Sequence, residues 1–143
     1  MSFATNALGL DWEKTVIESL PPAAVLLVLG RALMGLLFVS AGLGHLKSLD
    51  EITERIRARG APFPRTVLLI GTAFEIAAGA MLMLGLLAPF PALGLVIFVL
   101  VAGLLLLDFW NKQGEARQAA ANGWRSNLGL IGGLLVAAAA ALG

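Results

Sequence analysis

Apolar residues gather along this chain in four long runs, parted by links that are polar or carry proline. The first run, Pro21 to Lys47, reads PPAAVLLVLGRALMGLLFVSAGLGHLK. About 20 apolar residues cross the hydrocarbon core of a bilayer as a helix, so this run predicts a membrane span over residues 22–46. By the same measure VLLIGTAFEIAAGAMLMLGLL predicts a span over 66–87, ALGLVIFVLVAGLLLLDFW one over 91–110, and WRSNLGLIGGLLVAAAAALG one over 124–142. Between the first two lies SLDEITERIRARG. There Leu49, Ile52 and Ile56 share one helical face, with Asp50 and Glu51 at the start and three arginines at the end, as the helix dipole favours. This predicts a short amphipathic helix over 49–59 on the membrane surface, stopped by Gly60, Pro62 and Pro64.

The remaining links are the tight Ala88-Pro89-Phe90-Pro91 and the polar connector NKQGEARQAAANG. Short links force neighbouring helices to run antiparallel. The expected fold class is therefore all-α: an antiparallel four-helix transmembrane bundle with a short interfacial helix between spans one and two, in a single domain of 143 residues. The third span, nearly free of polar groups before Asp108, is expected to face lipid. Residues 1–20 mix Leu10, Trp12, Val16, Ile17 and Leu20 with Asp11, Glu13, Lys14 and Glu18. They suit a solvated tail or an interfacial amphipathic helix with Trp12 at headgroup depth. They lack the charged and apolar regions of a cleavable signal peptide.

Composition agrees with a membrane chain. Hydrophobic residues make up 59% and charged residues 13%, against about 25% charged in soluble domains. Lys and Arg counts in short loops set orientation. Lys47, Arg55, Arg57, Arg59 and Arg65 follow the first span, and Lys112, Arg117 and Arg125 follow the third, whereas the opposite side offers only Lys14. The expectation is a multi-pass protein of the bacterial cytoplasmic (inner) membrane with both termini on the outer face. A net charge of +1 without a basic stripe gives no nucleic-acid surface. With no cysteine, the chain has no disulfide, thiolate metal site or internal thiol relay, and one histidine cannot supply both axial ligands of a haem. No metal site, covalently bound cofactor, Walker loop or dinucleotide fingerprint is expected.

The chemistry must then come from the few polar groups inside the spans. Arg31 sits within the first apolar run and Glu75 within the second. An intramembrane arginine costs about 2.5–3.5 kcal/mol on insertion scales and is usually kept only with a partner in the bundle. Gly35, Phe38, Gly42 and His45 share the Arg31 face, and Gly71 and Gly79 flank Glu75 by one turn on either side. Helical rise places Arg31 roughly 22 Å and Glu75 roughly 15 Å from their shared loop, an offset that an arginine side chain nearly bridges. An Arg31–Glu75 ion pair is expected, serving either as a register-fixing scaffold or as the lining of a polar pocket. His45, Asp108 and Asn127 fall at similar depth near the charged loops. They form a candidate quinone or proton site, with His45 backed by Asp108, although a lone interfacial histidine also suits a purely structural bond. Gly129 and Gly133, with Ala137 and Ala141, recur every fourth residue of the last span and predict close helix packing. Trp110 and Trp124 are expected as headgroup anchors.

Taken together, RALMGLLFVSAGLGHLKSLD, ARGAPFP and GTAFEIAAGAMLMLGL resemble the DoxX family of small four-helix bacterial membrane proteins. The likeness rests on Arg31, Phe38, Gly42 and Lys47 in the first span, the Gly60 and Pro62 turn, and Glu75, Gly79 and Gly85 in the second. It covers about Arg31 to Leu87, with Asn127 as a further match in the last span. The family takes its name from a subunit associated with a terminal quinol oxidase and thiosulfate:quinone oxidoreductase. The resemblance implies an integral membrane subunit of a redox or respiratory-type complex with a quinone-proximal polar pocket, quinone being its non-covalent cofactor. The alternative is a structural or assembly accessory subunit of a larger membrane complex without catalysis of its own. Either reading implies the lipid bilayer and a protein partner or a second copy as company. A small proton conduit through Glu75 ranks last, since four short spans leave little room for alternating access.

Overall fold

A computed structural model of the chain describes residues 22–143, all helix and connecting turns. Five α-helices follow in order: α1 Pro22–Lys47, α2 Leu49–Ala58, α3 Pro64–Leu84, α4 Pro89–Leu106 and α5 Gly114–Ala140, with a 3-10 turn at Phe109–Asn111. The expected all-α bundle is the observed one. The expected amino-terminal amphipathic helix and Trp12 lie outside the described residues. Among the described helices α1, α3 and the stretch Pro89–Asn111 are long and apolar enough to cross a membrane. Large apolar side chains cover the outside, with Leu33 at 68% and Ile97 at 65% exposure. Such a surface is stable only with lipid as its solvent. The molecule is a small integral membrane protein.

Helix ends follow local chemistry. Pro64 starts α3 and Pro89 starts α4, where a missing N–H costs nothing. Gly85 ends α3 in the left-handed region at φ 71°, and the N–H groups of Gly85 and Leu86 bond back to the carbonyls of Leu82 and Met81. That conformation suits glycine because it has no Cβ. The fourth helix of the bundle begins ten residues earlier than the span predicted from hydropathy, at Gly114 rather than 124. The stretch Glu115–Ala121 is polar enough to read as a connector, but Glu, Ala, Arg and Gln are strong helix formers.

The core sits where α1 packs on α3, and α4 packs on both α3 and α5. Phe38, Ala78, Leu82, Ala92, Leu95, Val99, Leu134 and Ala138 fill it. Helix α4 thus buries one full face, Leu95 completely, and does not simply face lipid as its composition suggested. Glycines bring α1 and α3 into contact. A Cβ on Gly79 would stand 3.0 Å from the Gly35 carbonyl oxygen and 3.0 Å from Phe38 Cβ. One on Gly35 would run into the Gly79 carbonyl and Met83. Gly71 leaves room for Phe98, and Gly133 for the end of the Met34 side chain. Gly129 differs from the expectation: among the described residues nothing lies within 4 Å of a Cβ there, so it packs against none of them. The α5 ridge turns inward only at Gly133 and at buried Ala137 and Ala138.

Candidate functional site

The contacts between α1 and α3 fix an antiparallel register, and that register decides which charges meet. Gly42 faces Glu75 and Ile76, Gly35 faces Gly79 and Met83, and Arg31 faces Gly85. Glu75 therefore lies opposite the last turns of α1, and roughly 16 Å of helical rise separates Gly42 from Arg31. The expected Arg31–Glu75 ion pair is not formed. Counting depth from the loop underestimated the separation because α3 starts beyond the end of α1, alongside α2, where Arg65 pairs with Asp50 at 3.0 Å. The glycine contact, not loop length, sets how the helices slide. Arg31 instead lies beside the carboxyl-terminal end of α3, where a cation is favoured by the helix dipole.

The partner of Glu75 is His45. His45 Nδ1 lies 3.0 Å from Glu75 Oε2, with the carboxylate side chain 4% exposed and the imidazole 31%. The two atoms are at ion-pair distance, yet neither has a well-aligned hydrogen bond. The Thr72 hydroxyl, one turn away from Glu75 on α3, is also buried without a partner. Gly42 makes the arrangement possible, since a Cβ there would stand 3.4 Å from Glu75 Oε2 and 2.5 Å from Ile76 Cγ1. The sequence places His45 and Glu75 on the right faces but gives no sign of their pairing, which needs the register.

Two cavities share His45 as a lining residue, and Glu75 lines one of them. One, of about 240 Å³, is lined by His45, Glu75 and Asn127 together with Phe38, Phe98 and Ala102. The other, of about 130 Å³, lies under α2, with Ile52 and Ile56 forming part of its wall and His45 and Thr72 its polar edge. Phe98, Ala102 and Leu106 line both and separate them. Phe98 is held in place by Phe74 at 6.2 Å between ring centroids. Polar groups of three helices, α1, α3 and α5, thus converge on an apolar slot within the bundle.

Asp108 takes a different part from the one expected. It pairs with Arg59 Nη1 at 2.9 Å and Lys112 at 3.2 Å, while His45 finds Glu75. Arg59 also donates to the Leu104 carbonyl at 3.4 Å, so the end of α2 is tied to the open end of α4. Trp124 Nε1 donates to the Leu107 carbonyl at 2.6 Å, and its ring packs on Gly103 beside Asn127. Trp124, half-buried, therefore caps the end of α4. Trp110 is 48% exposed and packs edge-on to Phe109. Arg59, Thr72 and Phe98 were not foreseen as site residues; Arg59 looked like one of several surface arginines until the fold brought it to Asp108.

No group of three or more His, Asp or Glu side chains among the described residues is arranged to hold a metal ion. Comparison with known proteins finds no similar curated protein and no similar solved structure. A family model does match, described as DoxX, over residues 26–108, which spans α1 to the Asp108 clamp and includes His45, Glu75 and Phe98. That match takes in more than half of the chain, and the protein belongs to the DoxX family.

Proposed function

We propose that this protein is a membrane subunit of a redox complex that holds a quinone headgroup beside the His45–Glu75 pair. The observation that carries the reading is the buried carboxylate facing an imidazole at the edge of an apolar cavity of about 240 Å³. A quinone, when bound, takes up two electrons and two protons. The electrons would come from a redox centre in a partner protein. The residues fit such a guest: the cavity is walled mainly by apolar groups, as lipophilic ligand sites are, and has donors at one edge. Asn127 supplies amide N–H groups for one carbonyl oxygen. His45 would offer Nε2 to the other, since Nδ1 is held toward Glu75. An imidazole can carry and pass on a proton, and Glu75 Oε2 fixes the Nδ1 edge of the ring at 3.0 Å. Glu75, 3% exposed, also steers the imidazole tautomer without itself needing to touch the guest. Arg31 has no part in this pocket.

In this reading the chain lies in a bacterial cytoplasmic membrane, with the charged loops and the pocket toward the cytoplasm and both termini outside. Photolabelling of the purified protein in lipid nanodiscs with an azidoquinone tests it. Labelling is expected at α1, α4 or α5 residues of the cavity and should fall about tenfold in His45→Ala and Asn127→Leu, the scale of a lost polar contact. Labelling unchanged in both variants would remove the quinone site and leave the accessory reading, in which a larger complex contains this chain and keeps full activity without it.

A further inference from the structure

The end of the bundle remote from His45 carries a charge of its own. The guanidinium of Arg31 lies face-on to Gly85: a Cβ there would meet Nη2 at 3.1 Å, Cζ at 3.4 Å and Nη1 at 3.5 Å. Gly85 and Leu86 already cap the Leu82 and Met81 carbonyls, so that helix end can answer only part of the charge. Arg31 Nε is buried and has no hydrogen-bond partner among the described residues. Among the described residues Arg31 forms no ion pair, and the acids among them belong to the other end of the bundle. An arginine cannot shed its proton to escape this position.

Beside the guanidinium a recess of about 440 Å³ opens between α1 and α5. Leu26, Met34 and Val136 wall it, and Gly30 and Gly132 keep it open, since a Cβ on either would find no atom within 4 Å. The recess belongs to the lipid-facing side, as the 69% exposure of Leu26 and 67% of Val136 show. It also lies level with the α3–α4 turn, since Arg31 faces Gly85 there. A permanent cation at the mouth of an apolar slot matches an amphiphile with an anionic head. Guanidinium binds phosphate oxygens through paired, charge-assisted hydrogen bonds, and the slot has the character of an acyl-chain groove.

We propose that the α1–α5 recess is a phospholipid site, with the lipid phosphate on Arg31 and one acyl chain between the two helices. The site is independent of the quinone reading and lies at the opposite end of the bundle. The occupant is a lipid of the leaflet that borders the α3–α4 turn. Bound lipid would complete the contact between α1 and α5, which touch at Met34 and Gly133.

Native mass spectrometry of the full chain in mild detergent tests this, with phosphatidylglycerol and a diacylglycerol of the same acyl chains supplied together. The wild-type chain is expected to retain one phosphatidylglycerol in preference to diacylglycerol. Arg31→Gln should lower that retention about tenfold, as loss of a charge-assisted contact would. Gly132→Leu, which fills the slot and leaves the charge, should lower it as well, and Gly129→Leu, outside the slot, should not. Equal retention of diacylglycerol, or phosphatidylglycerol held as firmly by Arg31→Gln as by the wild type, would overturn the proposal. Should Arg31→Gln fail to accumulate, unchanged retention in Gly132→Leu overturns it alone.

Discussion

Replacing Gly79 by leucine is expected to abolish the folded bundle, the largest single effect in the chain. The new side chain would meet the Gly35 carbonyl at 3.0 Å, Phe38 Cβ at 3.0 Å and the Val39 backbone nitrogen at 3.2 Å from its first carbon alone. Two of those neighbours are backbone and cannot rotate aside. Overpacking a core costs about 1–3 kcal/mol where side chains can yield, so a clash with backbone belongs at or above the top of that range. Because the same contact sets the α1–α3 register, partial relief by sliding would also pull Glu75 away from His45. Gly129→Leu is the matched control, with no atom within 4 Å of its Cβ. Thermal unfolding in detergent should leave Gly129→Leu within about 0.5 kcal/mol of the parent, as for surface changes generally. Gly79→Leu should show no cooperative transition.

The second large effect is expected at His45. His45→Ala leaves the Glu75 carboxylate 3% exposed and without its facing base. Removing one member of a buried pair costs about 3–5 kcal/mol, because the other charge stays behind unpaired. Part of the imidazole is exposed, at 31%, which places the expected loss at the lower end, about 3 kcal/mol. The penalty comes from the stranded charge and not from the missing ring. Adding Glu75→Gln to His45→Ala should therefore recover most of the lost stability, as a double-mutant cycle by thermal unfolding would report. Quinone labelling should stay low in the double variant, since the proton-bearing groups are gone. Stability and binding then part company, which a merely structural pair would not produce.

What could be read from the sequence divides along a physical line. Element type and the membrane environment depend on local hydropathy and on punctuation by Gly and Pro, so α1, α3 and α4 are legible, as is the amphipathic α2 with its stop at Gly60. The faces of His45, Glu75 and the packing glycines are legible too, because helical periodicity fixes them. The register between α1 and α3 is not. A slide of a few residues along a glycine stripe changes which charges meet, and nothing in either helix alone records it. Hence Glu75 was matched to Arg31, the stronger cation, when its neighbour is the histidine beside Gly42. Asp108 shows the same limit, since its partner Arg59 comes from α2, whose position over α4 depends on the tertiary fold. Polarity misled at Gly114–Gly123, where exposed helix has the composition of a loop.

The carboxylate of Glu75 meets imidazole and not guanidinium, and the chain's single histidine makes that directly measurable. Solid-state NMR on membrane-reconstituted protein, with 15N in histidine and arginine and 13C in the glutamate carboxylates, would report dipolar dephasing at Glu75. The expected result is a coupling to His45 Nδ1 that matches the 3.0 Å contact with Oε2, and none to Arg31. A Glu75 carboxylate dephased by the Arg31 guanidinium and silent toward His45 would contradict it.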